Sequence, residues 1–149
     1  MTQEAERRDL AYLGHMLEAI ARVRRYVGRK RRAAFLGDSL LQDAVMRNIE
    51  VIGEAAGRVS AQFAAAHPAV PWRRIIGMRH RLIHGYVHVN LEMVWDVIAA
   101  DLATLEKHLR ALAGGGKQPR TAARSSVRGR PPARALRRGA VRARRGSVP

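Results

Sequence analysis

Apolar residues return every three or four positions through most of residues 1–113, the period of a helix with one face turned inward. Leu10, Leu13, Leu17, Ile20, Val23 and Val27 form the first such stripe, which runs into the basic stretch Gly28-Arg29-Lys30-Arg31-Arg32. Gly28 is positioned to stop that helix. A second helix is predicted to begin at Asp38, a good N-cap, and to carry Leu41, Val45, Ile49, Ile52, Ala56, Val59 and Phe63 on one face. On this reading it is the longest helix. Gly53 and Gly57 lie one turn apart within it, which costs helix propensity but lets another helix approach closely. After the turn His67-Pro68-Ala69-Val70-Pro71, Pro71 suits a first helical position, and Trp72, Ile75, Ile76, Leu82 and Ile83 continue a helix toward Gly85. Asn90 caps a last helix whose inward residues are Leu91, Val94, Ile98, Leu102, Leu105, Leu109 and Leu112. No stretch alternates with the period of two that a half-buried strand requires. The economical fold is therefore an all-α antiparallel bundle.

Composition changes this picture at one end. Residues 1–113 hold 17 Lys/Arg and all 12 acidic residues, whereas residues 114–149 hold 11 Lys/Arg and no acid. A boundary falls near Gly114-Gly115-Gly116, giving a helical domain over 1–113 and a segment over 114–149 rich in Arg, Ala, Pro, Gly and Ser. With few large apolar side chains, that segment cannot offset the entropy of ordering itself and is expected to be a disordered basic tail. It suits either an RNA-binding arm, rewarded by counterion release, or a solubilising extension. The net charge of +16, carried mostly by Arg, points to phosphate-bearing partners and to nucleic acid first among them. The absence of cysteine excludes disulfides and thiolate metal sites. The polar N-terminal residues and the lack of any membrane-length apolar run lead to the expectation of a cytoplasmic protein.

Candidate chemistry concentrates in Gly77-Met78-Arg79-His80-Arg81-Leu82-Ile83-His84-Gly85-Tyr86-Val87-His88. Four readings compete for it. His80, His84 and His88 recur four apart, the spacing that brings imidazoles onto one helical face to bind metal. Gly85 and the β-branched Val87 and Val89 count against a helix that reaches His88. The bland reading is a basic helix end that complements the macrodipole. A third reading is acid–base chemistry on an RNA phosphodiester. Histidine can give or take a proton at neutral pH, and Arg can hold the charge that builds on phosphoryl oxygens, so the ribose 2′-hydroxyl can attack the adjacent phosphate without metal. In the fourth, the same cations hold RNA or a partner protein and cut nothing. Sequence chemistry does not separate the last two.

Spacing adds a condition to the third. Residues five apart on a helix point about 140° away from each other, so Arg79 and His84 do not share a face, while His80 and His84 do. A twofold axis that brings two copies of the segment into one cleft would supply two arginines and two histidines. A homodimer is thus a chemical expectation.

These residues also resemble a known family. Arg79, four residues, His84, one residue and Tyr86 match the signature of HepT-type HEPN ribonucleases. The neighbours match too: Asp-x-x-Tyr-Leu at Asp9 to Leu13, Phe-Leu-x-Asp at Phe35 to Asp38, Gln-Asp-Ala-Val at Gln42 to Val45 and Ile-Gly-Glu-Ala at Ile52 to Ala55. Pro71-Trp72 and Val94-Trp95 complete the set, and the resemblance covers residues 9 to about 110. It implies an all-helical homodimer whose composite cleft cuts RNA without metal or cofactor. Such a chain is the toxin of a type VII toxin–antitoxin pair, opposed by a minimal nucleotidyltransferase antitoxin. The implied catalytic residues are Arg79, His80 and His84, although Asn or Asp is commoner at the second position. Tyr86 matches the tyrosine that the antitoxin modifies with AMP. An alternative role is a non-catalytic RNA- or substrate-binding subunit of the nucleotidyltransferase.

Three further residues have two readings each. Glu54 is either the acid that orients Arg79 or an isolated solvent-facing carboxylate, and it stays outside the catalytic set. Trp72 and Trp95 are suited to base stacking, but on helices tryptophan belongs more often to core or interface, so packing is expected.

Overall fold

The computed structural model describes residues 2–85 and 89–115, all of them helix, turn or connecting loop. Helix α1 spans Gln3–Val27, α2 Arg32–Leu36, α3 Ser39–Arg58, α4 Ala61–Ala66 and α5 Trp72–His84. After the loop that contains Asn90, α6 covers Leu91–Asp96, a π-helical turn covers Val97–Asp101, and α7 covers Leu102–Gly115. This is the all-α bundle expected from the periodicity. The core lies where α1 packs on α3, α3 on α5, and α7 on α1. Leu13, Met16, Ile20 and Val23 of α1 meet Val45, Ile49 and Ile52 of α3 there, all essentially inaccessible to water. No helix among the described residues is long and apolar enough to cross a membrane.

Each helix end has a local cause. Thr2 caps α1 through its hydroxyl, and Gly28 ends it with φ of 54°, a left-handed backbone that glycine adopts without steric cost. Asp38 accepts the Leu41 N–H at 3.0 Å, as expected of the cap of α3. The side chain of Gln42 reaches back to donate to the carbonyls of Phe35 and Leu36 at 2.9 and 3.0 Å, which fixes α2 against α3. Phe35 is wholly buried and its ring packs against Trp95, with centroids 5.6 Å apart. Trp72 is buried too and donates its indole N–H to the His67 carbonyl. Both tryptophans therefore pack, as anticipated.

The structure departs from the periodic reading in several places. The second helix does not run from Asp38 to Phe63: it stops at Arg58, and Phe63 belongs to α4. The break is chemical. Ser60 takes extended backbone and caps α4 by accepting from the Phe63 N–H, while its own N–H and hydroxyl donate to the fully buried carboxylate of Asp9 at 2.8 and 2.6 Å. A buried carboxylate needs such donors, and here they come from a residue 51 positions away. The longest helix is consequently α1, with 25 residues against 20 for α3. Helix α2 went unpredicted, because its five residues are too few to show a period. The last predicted helix is interrupted by the π turn, beside which Arg74 of α5 pairs with Asp101 at 2.7 Å. Ile83, expected to face inward, is 38% exposed.

Of the two glycines one turn apart on α3, only Gly53 serves a close approach. A Cβ there would collide with the Cβ of Arg79 and stand 3.2 Å from the Ile75 carbonyl oxygen, whereas a Cβ on Gly57 would meet nothing within 4 Å. The pair predicts opposite outcomes for one chemical change. Gly53→Ala forces α5 away from α3 and lowers stability by about 1–3 kcal/mol. Gly57→Ala, in an exposed helix interior, raises it by roughly 0.5–1 kcal/mol. Urea unfolding of the two variants checks both signs; equal shifts would mean that the helices do not cross at Gly53.

Candidate active site

Helix α5 begins after Pro71, which stands at the cap position one residue before the first helical residue. Trp72, Ile75 and Leu82 are its buried face, and Gly85 closes it by donating to the Arg81 carbonyl at 3.0 Å. Arg79 lies between that face and solvent. Its stem runs over the bare backbone of Gly53, which directs the guanidinium along α3 toward Glu54, 2.8 Å away.

Glu54 is shared. One carboxylate oxygen meets Arg79, and the other accepts from Arg58, one turn further along α3, at 3.0 Å. The Glu54 carboxyl is held below its ordinary value, first by the hydrogen bond from Arg58 and then by the charge of Arg79. Glu54 is therefore the orienting acid of the two readings given above. It fixes where the Arg79 guanidinium waits without burying it, since both side chains remain partly open to water.

His80 and His84 stand together on another face of α5, exposed, with ring planes 5° from parallel and centroids 6.0 Å apart. The predicted sharing of a face is thus observed, and so is the separation from Arg79. Arg79 lines a groove of about 460 Å³ whose walls come from α1, α3 and α5 and to which neither histidine contributes. Its polar lining includes His15, Arg47, Glu50, Glu54 and Arg58. The imidazole of His15 was missed from sequence, because a single exposed histidine on α1 carries no spacing signal toward residues 64 positions away. Its nearest clue was its place just after the Asp9 to Leu13 motif. Tyr86 and His88 lie outside the described residues, so neither the modification site nor the third member of the histidine trio has a described position.

This arrangement puts the Arg79 guanidinium, a group suited to a phosphate, and the His15 imidazole on one groove, with the His80 and His84 pair outside it. Comparison with known proteins points the same way. The family model described as Ribonuclease HepT-like matches residues 16–112, a span that includes the groove residues of α3 and α5 and the Arg79 to His84 segment. The chain is similar to a Thermococcus cleftensis protein named "Probable ribonuclease HepT", with 35% identity over 64% of this chain and 86% of that one. It is 38% identical, over 52% of its own length and 70% of the other, to a protein of Caldanaerobacter subterraneus subsp. tengcongensis provisionally named an RNase. A Methanocaldococcus jannaschii protein, whose name joins a gamma-glutamylcyclotransferase to a provisional RNase, is 36% identical over 66% of this chain; the match spans only 44% of that longer protein. No solved structure matches the chain.

The ionic triplet has a pH signature. A carboxyl whose folded value lies below its unfolded one stabilises the fold fully above the ordinary value of 4.5, and that contribution is lost as pH falls through the lowered value. Glu54→Gln removes it. The native protein should melt above Glu54→Gln near neutral pH, and the gap should narrow as pH falls below 4.5. Thermal unfolding of both proteins across that range checks this, and a gap that does not change with pH would show that Glu54 is not charge-coupled to its arginines.

Proposed function

The chain belongs to the Ribonuclease HepT-like family, and from that premise we propose that it is a metal-independent endoribonuclease, the toxin of a type VII toxin–antitoxin pair. The observation that carries this reading is a guanidinium held in place by Glu54 at an open groove, one helical face from a pair of exposed histidines. Arg79 neutralises the charge that gathers on the phosphoryl oxygens. His84, with His80 beside it, moves protons. The 2′-oxygen loses its proton to an imidazole and bonds to phosphorus, the bond from phosphorus to O5′ breaks, and O5′ takes a proton from an imidazolium. The products are a 2′,3′-cyclic phosphate and a 5′-hydroxyl.

Because Arg79 and the histidine pair open to different sides of α5, the reading includes a homodimer in which each copy completes the other's cleft. The partner that silences it is a minimal nucleotidyltransferase, and the switch is Tyr86, two residues beyond His84. Attack of the tyrosine oxygen on the α-phosphorus of ATP would attach AMP and release pyrophosphate, leaving phosphate charge where the RNA backbone should lie. The basic segment 114–149 adds affinity for RNA that falls with salt.

Two outcomes are expected. With purified protein and single-stranded RNA, Arg79→Ala and His84→Ala each slow cleavage about a hundredfold or more. Cleavage persists in EDTA and is blocked by a 2′-deoxy substitution at the cut site. RNA binding without cleavage would favour the non-catalytic subunit. Second, incubation with the nucleotidyltransferase and ATP adds AMP to Tyr86 and stops cleavage. Peptide mass analysis of the native protein and Tyr86→Phe reads the modification, and a Tyr86→Phe protein that is still modified and silenced places the switch elsewhere.

A further inference from the structure

Neither His80 nor His84 lines the groove that holds Arg79. Cleaving an RNA phosphodiester moves two protons, one away from the 2′-hydroxyl and one onto O5′. On the α3 and α5 walls stand Arg47, Arg58 and Arg79, guanidiniums that donate hydrogen bonds and accept none. Glu54 is held ionised by two arginines, and Glu50 pairs with Arg47 at 3.4 Å. Both carboxylates are thus engaged by cations. On the α1 wall stand Tyr12 and His15. His15 is the one imidazole among the described side chains that line the groove, and imidazole is the side chain suited to passing a proton either way.

Its setting suits the task. Asp9, Leu13, Met16 and Ile20 form the buried stripe of α1, and His15 stands off that stripe with its ring exposed. The ring meets the partly buried Tyr12 edge to face, with centroids 6.1 Å apart, so the imidazole has a floor. No hydrogen bond among the described residues occupies either ring nitrogen.

We propose that His15 is a catalytic residue, the second proton-transferring imidazole, acting on the phosphodiester that Arg79 holds. It rests on the ribonuclease reading above. One of His15 and the His84 that a second copy brings to the cleft accepts the 2′-hydroxyl proton as the 2′-oxygen bonds to phosphorus. The other gives a proton to O5′ as the bond from phosphorus breaks, and the total count of protons on the protein is unchanged.

The test is single-turnover cleavage of a single-stranded RNA from about pH 5 to pH 9 by the native protein, His15→Ala and His15→Gln, with melting temperatures measured alongside. His15 is exposed, so both variants should melt with the native protein. The expected result is a rate about a hundredfold lower at the optimum and a bell-shaped profile that loses one limb. If both limbs survive and only KM rises, His15 binds RNA without moving a proton, and the proposal is overturned. Parent rates in His15→Gln overturn it as well while leaving the ribonuclease reading intact. A native protein that cuts no RNA removes that reading and this proposal together.

Discussion

The close crossing of α3 and α5 at Gly53 is the constraint on which both the fold and the candidate site depend. The Cβ of Arg79 occupies the space that a side chain at position 53 would need, so glycine is required there by contact and not by backbone conformation. Glycine in a helix interior costs propensity. What it gains is an arginine whose stem is clamped between helices, leaving only its outer bonds to settle where the charge goes. Glu54, the next residue, then meets that charge at 2.8 Å. Positions 53 and 54 thus act as a unit, one fixing the stem and the other the head.

The wall opposite α5 is held by polar fasteners placed between apolar layers. Asp9 is fully buried and would be costly without donors, yet the Ser60 backbone and hydroxyl satisfy it with charge-assisted hydrogen bonds, which are stronger than neutral ones. This bond joins the first turns of α1 to the start of α4 and so sets how far along α3 the residues Tyr12 and His15 lie. Apolar contacts between two helices tolerate small shifts along their length, but a buried carboxylate with two fixed donors does not. Gln42 performs the corresponding task for α2, and the ring of Phe35 carries that anchorage on to Trp95 of α6.

Much of this was legible in the residue pattern, and the failures share a cause. Stripes of apolar residues located α1, α3, α5 and α7 because burial of one face repeats at the helical period, and Asp38, Asn90 and Gly28 marked ends because capping is local chemistry. The separate faces of Arg79 and the histidine pair followed from spacing alone. The division at Ser60 was hidden because its determinant, Asp9, is 51 residues away. The π turn at Val97–Asp101 was hidden because adding one residue to a turn leaves the apolar spacing nearly intact. Glu54 was ambiguous until the crossing at Gly53 placed Arg79 beside it, and His15 carried no signal because a groove shared by three helices has no expression in local sequence.

The resting groove carries three guanidiniums and two carboxylates, and this near balance shapes what can enter it. A purely cationic groove would bind any polyanion and would pay for its own repulsion in the absence of one. Pairing Arg58 and Arg79 through Glu54 removes much of that repulsion and keeps Arg79 in a defined place. The same carboxylate opposes an incoming phosphate. Because the pair is open to water, its attraction is screened, so a phosphodiester that offers the guanidinium two oxygens can share Arg79 or draw it away. On the proposed reading, the pull of the phosphate on Arg79 would grow as negative charge gathers on its oxygens during bond exchange. On the ribonuclease reading, an arginine shared with a nearby acid in this way would respond more to the transition state than to the resting substrate, the difference on which rate acceleration depends.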